Sequence, residues 1–453
     1  MSEKKHKERR RRERAKKEEP KVNKISDVKM AYIMYGKKVF VIPIVIAIIL
    51  GAIIWGIVYN ARKNNAPQES ADNQKEQINY MWGEIKPGKR NTNNFTTVRS
   101  SDGVDVPVPT GYTASSASDE NSVSGGFVIY EGTDAVTDSN EWEAQCNRNQ
   151  YVWIPIANVS DMYWRDQTTG KKYGTTYTFS SSSYSKSSSN KQEPQTTQYD
   201  KQSTYLTKYL NGMSREDFLM EMEIDFDKML NSVATYGGYY IGRYQAGDLA
   251  QATPVVKRMN TDIGSQTWYT MWKKSPRIST GGANVHMIWG IQWDETLKWL
   301  IDTGEKTYAE IGSDSTSWGN YYNNSFTYYT DTSKSTATKA SSKSVRIPSG
   351  AYEGANANNV FDLAGNVWDW TLESNGSGTG YTRYLRGGSY DDYGYGIYAA
   401  YRLRRQSWQQ LRLLWFALCT LHKVALNPPN TKIYTTLCKQ NRNAPKNNCK
   451  SID

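Results

Sequence analysis

The chain predicts an α+β domain of short strands, two main helices and long loops, preceded by one transmembrane helix. Three observations lead there. A run of 21 residues without charge, VFVIPIVIAIILGAIIWGIVY, lies between Lys38 and Asn60. Short β-rich stretches such as YVWIPI (151–156) alternate with Ser/Thr/Gln-rich text. Two helical periodicities stand among them, one opening at Ser214 and one at Asp294.

The apolar run at 39–59 is long enough to cross a bilayer as a helix. Tyr32, Tyr35, Trp55 and Tyr59 flank it as interfacial aromatics do. Residues 1–38 hold 15 Lys and Arg against 6 Asp and Glu, so the positive-inside rule predicts a cytoplasmic tail. Everything after Asn60 then faces outward, on a polar stalk over 60–105. The localisation expected is the cell membrane, single-pass, with an extracellular domain.

Residues 402–453 hold 10 Lys and Arg against 1 Asp. Each tail is thus net +9, and a whole-chain charge of +11 leaves the body, 39–401, at −7. An acidic body offers no nucleic-acid face. Cys146 is the one cysteine of four inside it, so a disulfide framework cannot hold it together.

Along the body, GGFVIYEG (125–132), YVWIPI, YYIGRYQAG (239–247) and VHMIWGIQW (285–293) read as buried strands. Ser214 and Asp217 resemble a capping box. Phe218, Leu219, Met222, Phe226, Met229, Leu230 and Val233 follow at helical spacing, and Gly237–Gly238 close the helix. DETLKWLID (294–302) is the second helix. The Ser/Thr-rich insertion 172–205 and the stretch 330–343 read as surface loops.

GGYYIGRYQAG (237–247), MIWGIQWDETLKWL (287–300), VRIPSGAYEG (345–354), NVFDLAGNVWDWT (359–371) and YLRGGSY (384–390) stand in an order similar to the formylglycine-generating-enzyme, or sulfatase-modifying-factor, family. The resemblance covers 106–402. It implies a C-type-lectin-like domain in a membrane-anchored bacterial or phage-type member. It also implies a structural calcium at Asp362, Gly365, Val367 and Asp369, through two side chains and two carbonyls, as oxygen-only ligation suits Ca²⁺. The competing reading is that both aspartates only cap turns. Trp368, Trp370, Arg386, Gly387 and Gly388 are expected to be structural, with Arg386 bridging carbonyls of an irregular core.

The family's converting enzymes use two cysteines past RGGS to ligate copper. Tyr393 and Tyr398 stand at the corresponding places, and tyrosine cannot replace a soft thiolate ligand. The chain has only His6, His286 and His422 for a histidine-rich iron site. Neither copper nor iron is expected, and formylglycine chemistry is not. The alternative kept open is an oxidoreductase acting on a peptide or small thiol.

What remains is SYDDYGYGIY (389–398). Tyr390, Asp391, Asp392, Tyr393, Tyr395 and Tyr398 are the adaptable recognition set of antibody loops, expected to bind a protein or glycan. Each residue type here can also be reached from an Asn codon by changing adenines, as diversity-generating retroelements do to lectin-fold targets. The same composition arises without directed mutagenesis too.

Family members close on a strand resembling GFRPVLYI. Residues 403–453 instead form an atypical basic tail with no glycine after Gly396. Codons can be chosen for 414–425 that, one base later, spell Phe-Gly-Leu-Pro-Cys-Val-Leu-Tyr-Ile-Lys and a stop. The tail is therefore read as a frameshifted extension.

Overall fold

The computed structural model describes residues 84–88, 90, 92–195, 203–210, 212–248, 251–261, 266–278, 280–375, 382–407, 414–416 and 418–422. The chain divides into compact units at Glu76 and Gln77. The first unit, with the expected membrane helix 39–59, lies outside the described residues, as does the tail beyond 422. Among the described residues no helix is long and apolar enough to cross a membrane.

The second unit is mixed α and β. Strands β1 (Tyr112–Ala114), β2 (Val128–Glu131), β3 (Gln150–Pro155), β4 (Gly238–Gly242) and β5 (Ala283–Met287) belong to one six-stranded sheet. Strands β6 (Trp368–Ser374), β7 (Thr382–Arg386), β8 (Leu403–Gln406) and β9 (Leu414–Phe416) form a second sheet. A last strand, β10 (Leu418–His422), returns to the first, whose order is β5-β10-β4-β3-β2-β1; the second runs β8-β7-β6-β9. Backbone pairing therefore continues past Arg402.

Helix α1 (Glu141–Asn147) precedes β3. Helix α2 (Arg215–Tyr236) starts where Ser214 accepts a hydrogen bond from the Asp217 amide and stops at Gly237, φ 86°. Phe218, Met222, Phe226, Met229, Leu230 and Val233 are buried, each contributing about 1.5–3 kcal/mol on burial. Phe226 meets Trp289 edge-on at 5.0 Å and Phe218 meets Trp272 at 5.2 Å.

Helix α3 (Gly290–Asp302) begins four residues before the expected Asp294, and β5 ends at Met287. Two caps set this start: the Glu193 carboxylate accepts the Gly290 and Ile291 amides, and Gln292 Oε1 accepts the Trp289 amide at 3.1 Å. The insertion 172–205 is correspondingly not all loop. Strands Lys172–Gly174, Thr176–Phe179 and Tyr184–Ser187 lie in it, with Tyr177, Phe179 and Glu193 buried.

The boundary at 105 also moves. Phe95–Arg99 pairs antiparallel with Asp105–Pro109, and Phe95 is buried against Tyr236, so the folded unit takes in part of the expected stalk. The second expected loop, 330–343, carries half of a hairpin, Phe326–Tyr329 with Thr336–Lys339.

Candidate functional site

Three groups of residues converge within 359–402. The first is a buried carboxylate pocket. NVFDLAGN turns sharply and repeatedly, with positive φ at Asn359 (66°), Asp362 (60°), Gly365 (72°) and Asn366 (57°). Asn and Asp tolerate this region better than other side chains. At Gly365 a Cβ would sit 2.4 Å from the Asn320 carbonyl oxygen, so only glycine fits.

These turns aim two acids inward. Asp362 Oδ2 accepts from the Ser349 hydroxyl at 2.8 Å and the Gly350 amide at 2.9 Å. Asp369 Oδ2 accepts from Gln245 Nε2 at 2.8 Å, and that same amide donates to the Val367 carbonyl at 2.7 Å. The other oxygens, Asp362 Oδ1 and Asp369 Oδ1, are buried without a protein donor. Both residues line one small cavity with Tyr244, Gln245 and Trp293. Burial pushes the Asp362 carboxyl up to about 6 and holds Asp369 well above the usual range, the latter aided by Asp362 itself.

Two orphaned carboxylate oxygens beside a carbonyl form a hard-oxygen set that suits Ca²⁺. Gln245 currently supplies the positive end of a dipole to part of that set. Neither Gly365 nor Val367 is among the residues lining the cavity; the Gly365 amide donates to the Gly387 carbonyl at 2.8 Å, and the Val367 carbonyl accepts from Gln245.

The second group is an ionic core. Arg386 is fully buried, with partners that differ from the expected carbonyls. Its guanidinium meets Asp294 at 2.5 Å and Glu373 at 3.6 Å. Arg402 bridges the same two acids, reaching Glu373 at 3.0 Å. A guanidinium in the interior needs counter-charge, which neutral carbonyls do not supply. Glu193 lies alongside, its carboxyl raised to about 8 by burial and by Glu373. Gly387 and Gly388, with φ of 86° and 83°, carry the chain out of β7, and Trp368 and Trp370 are buried along β6.

Sequence reasoning missed Asp294, Glu373 and Glu193. Asp294 directly follows Trp293 and Glu373 lies three residues after Trp370, each in a dense apolar run, which is the available signal. Glu193 sits in polar text and gives none.

The third group is the tyrosine edge after Gly388. Tyr393 and Tyr395 are 45% and 60% exposed. Their ring centroids lie 5.3 Å apart, and Tyr393 is 5.2 Å from Tyr322. The other residues of the expected set are not so placed. Tyr390 is half-buried, and Tyr398 is half-buried and meets Tyr401 edge-on at 5.9 Å. Asp392 is half-buried and structural, accepting from the Ser389 amide at 2.9 Å and hydroxyl at 2.7 Å. Asp391 is exposed. Tyr393 and Tyr398, where the resemblance puts the cysteine pair, thus lean on different neighbours.

The edge rests on a fixed base. The Gly394 amide donates to Asn323 Oδ1 at 3.2 Å and its carbonyl accepts from the Ser315 amide at 3.1 Å. A Cβ on Gly394 would meet the Thr316 nitrogen at 2.6 Å. Beneath Tyr322, the buried Lys339 ammonium donates to the Tyr321 carbonyl at 2.6 Å and the Asn324 carbonyl at 2.7 Å. His286 packs in β5, with Nδ1 2.6 Å from the Met287 carbonyl oxygen.

Residues 291–412 match the family described as the sulfatase-modifying factor enzyme 1-like domain. Two solved structures are similar. Treponema denticola variable protein 1 is 14% identical over 40% of this chain and 84% of its own, at a TM-score of 0.26. PvdO from Pseudomonas aeruginosa is 12% identical over 41% and 81%, at 0.25. No curated protein matches the chain. Residues 291–412, which hold most of α3, Asp362, Asp369, Glu373, Arg386 and the tyrosine edge, thus carry a sulfatase-modifying factor enzyme 1-like domain.

Proposed function

We propose that this chain is a membrane-anchored, outward-facing binding module of C-type-lectin-like architecture, recognising a protein or glycan through its tyrosine edge and lacking formylglycine-generating activity. The observation that carries this reading is the exposure of Tyr393 and Tyr395 on a backbone pinned at Gly394 by Ser315 and Asn323. Rigid aromatic rings held outward lose little entropy on binding and make good anchors. Asp362 and Asp369, with the carbonyls of Gly365 and Val367, would hold a structural calcium, the two buried unpaired carboxylate oxygens supporting that reading. No nucleic acid is among the partners.

Two experiments test this. Protease added to intact cells should remove the outward domain, which includes the paired strand Phe95–Arg99; protection until lysis would refute outward topology. Purified full-length protein should leave a thiol-containing peptide unoxidised in the presence of copper or iron. Recovery of formylglycine would establish the oxidoreductase instead.

A further inference from the structure

The tyrosine edge has a chemistry of its own. Tyr322, Tyr393 and Tyr395 form a ledge of three rings, inclined to one another by 61° and 50°. A ring face carries negative charge density and attracts a cation within about 6 Å of its centroid. The two segments that build the ledge, 314–324 and 389–398, contain Asp314, Asp391 and Asp392 and no lysine or arginine. Asp314 and Asp391 are exposed. Asp314 Oδ1 accepts the Thr316 amide. Asp391 makes no ion pair among the described residues. Arg346 is within electrostatic reach of Tyr390, and the buried Lys339 ammonium is held by the Tyr321 and Asn324 carbonyls.

Resting on the binding reading above, we propose that the ledge takes a cationic side chain, an arginine or lysine of a basic peptide segment in the partner, on the outer ring faces of Tyr393 and Tyr395 with Asp391 as counter-charge. Neutral oligosaccharide is the competing occupant of such a surface. It would stack on the same rings but use the tyrosine hydroxyls as hydrogen-bond partners. A cation uses the ring faces and the carboxylate. That difference separates the two.

The test uses purified full-length protein and a fluorescein-labelled Gly-Arg repeat hexapeptide, with a Gly-Ser hexapeptide as neutral control and tetramethylammonium chloride as competitor. Anisotropy should show binding of the basic peptide alone, weakening as salt rises. Tetramethylammonium should displace it. Tyr393→Ala with Tyr395→Ala should weaken binding about tenfold, while the paired Tyr→Phe variant, which keeps the ring faces, should stay within about twofold. Asp391→Asn should weaken binding and flatten its salt dependence. Equal binding of basic and neutral peptides, or loss with Tyr→Phe, would overturn the cationic assignment. If a neutral glycan array or a protein ligand binds in a Tyr393/Tyr395-dependent manner and the basic peptide does not, the cationic assignment falls and the binding reading stands. If nothing binds through these tyrosines, both fall. Unchanged melting temperatures in all variants keep misfolding out of the comparison.

Discussion

Two stretches only a few residues apart invest their polar groups in opposite ways. From Asp362 to Arg386 nearly every charge is turned inward: Asp362 and Asp369 line a small cavity, and Glu373 and Arg386 complete a core ion network with Asp294 and Arg402. From Ser389 to Tyr398 the same kinds of residue are used sparingly inside, through Asp392 and Gly394, and Asp391, Tyr393 and Tyr395 are left to solvent. The first stretch makes the backbone rigid, and the second spends that rigidity on presentation.

The largest effect expected from this contrast is on folding. Arg386→Ala leaves Asp294 and Glu373 short of a buried counter-charge and should cost about 3–5 kcal/mol in urea unfolding. Tyr393→Ala with Tyr395→Ala should change the same midpoint by no more than about 0.5 kcal/mol. Similar losses from both would erase the division between scaffold and edge.

Calcium comes next. At a free concentration of about 100 times Kd it should stabilise the folded chain by about 2.7 kcal/mol, read as a rise in melting temperature. Asp362→Ala with Asp369→Ala should abolish that rise. If wild type shows none, the aspartates act only as turn-formers.

A smaller effect concerns pH. Asp362 rises from 3.8 to about 6 and Glu193 from 4.5 to about 8 on folding. Each binds its proton more tightly when folded, so its contribution is complete below the unfolded value and is lost as pH rises through the folded one. Calcium-free protein should therefore lose stability between about pH 5 and 8 in thermal melts. Glu193→Gln should remove the upper part of that fall. The calcium gain should shrink toward pH 5, where protons hold the same oxygens. Stability that rises with pH in calcium-free buffer would contradict the proton assignments.

The last expectation leaves stability untouched. Sequencing of the gene across codons 385–430 should reveal a one-base slip restoring a glycine-containing final strand. An intact mass matching all 453 residues in protein from its native source would reject it.

Much of the frame was legible in the sequence. Helix α2 was readable at both ends because Ser214 and Gly237 signal through local chemistry, and the Asp362 turn because only a few residue types take positive φ. The start of α3 was not, because one cap, Glu193, comes from about a hundred residues away inside text that looks like a loop, and the other, Gln292, sits in an apolar run that reads as a strand. Arg386 was readable as buried but its partners were not, since a charge pair between distant elements leaves no periodic trace. The same holds for Tyr398, whose identity matches its exposed neighbours while its burial depends on Tyr401.

The alternation within 389–396 has an evolutionary consequence. Ser389, Asp392 and Gly394 hold the backbone, while positions 391, 393 and 395 point away from it. Heritable change can accumulate at the outward positions without being filtered by folding. A library randomised across this stretch and selected only for expression should keep Asp392 and Gly394 while 391, 393 and 395 drift freely, so new specificities would be reachable one substitution at a time.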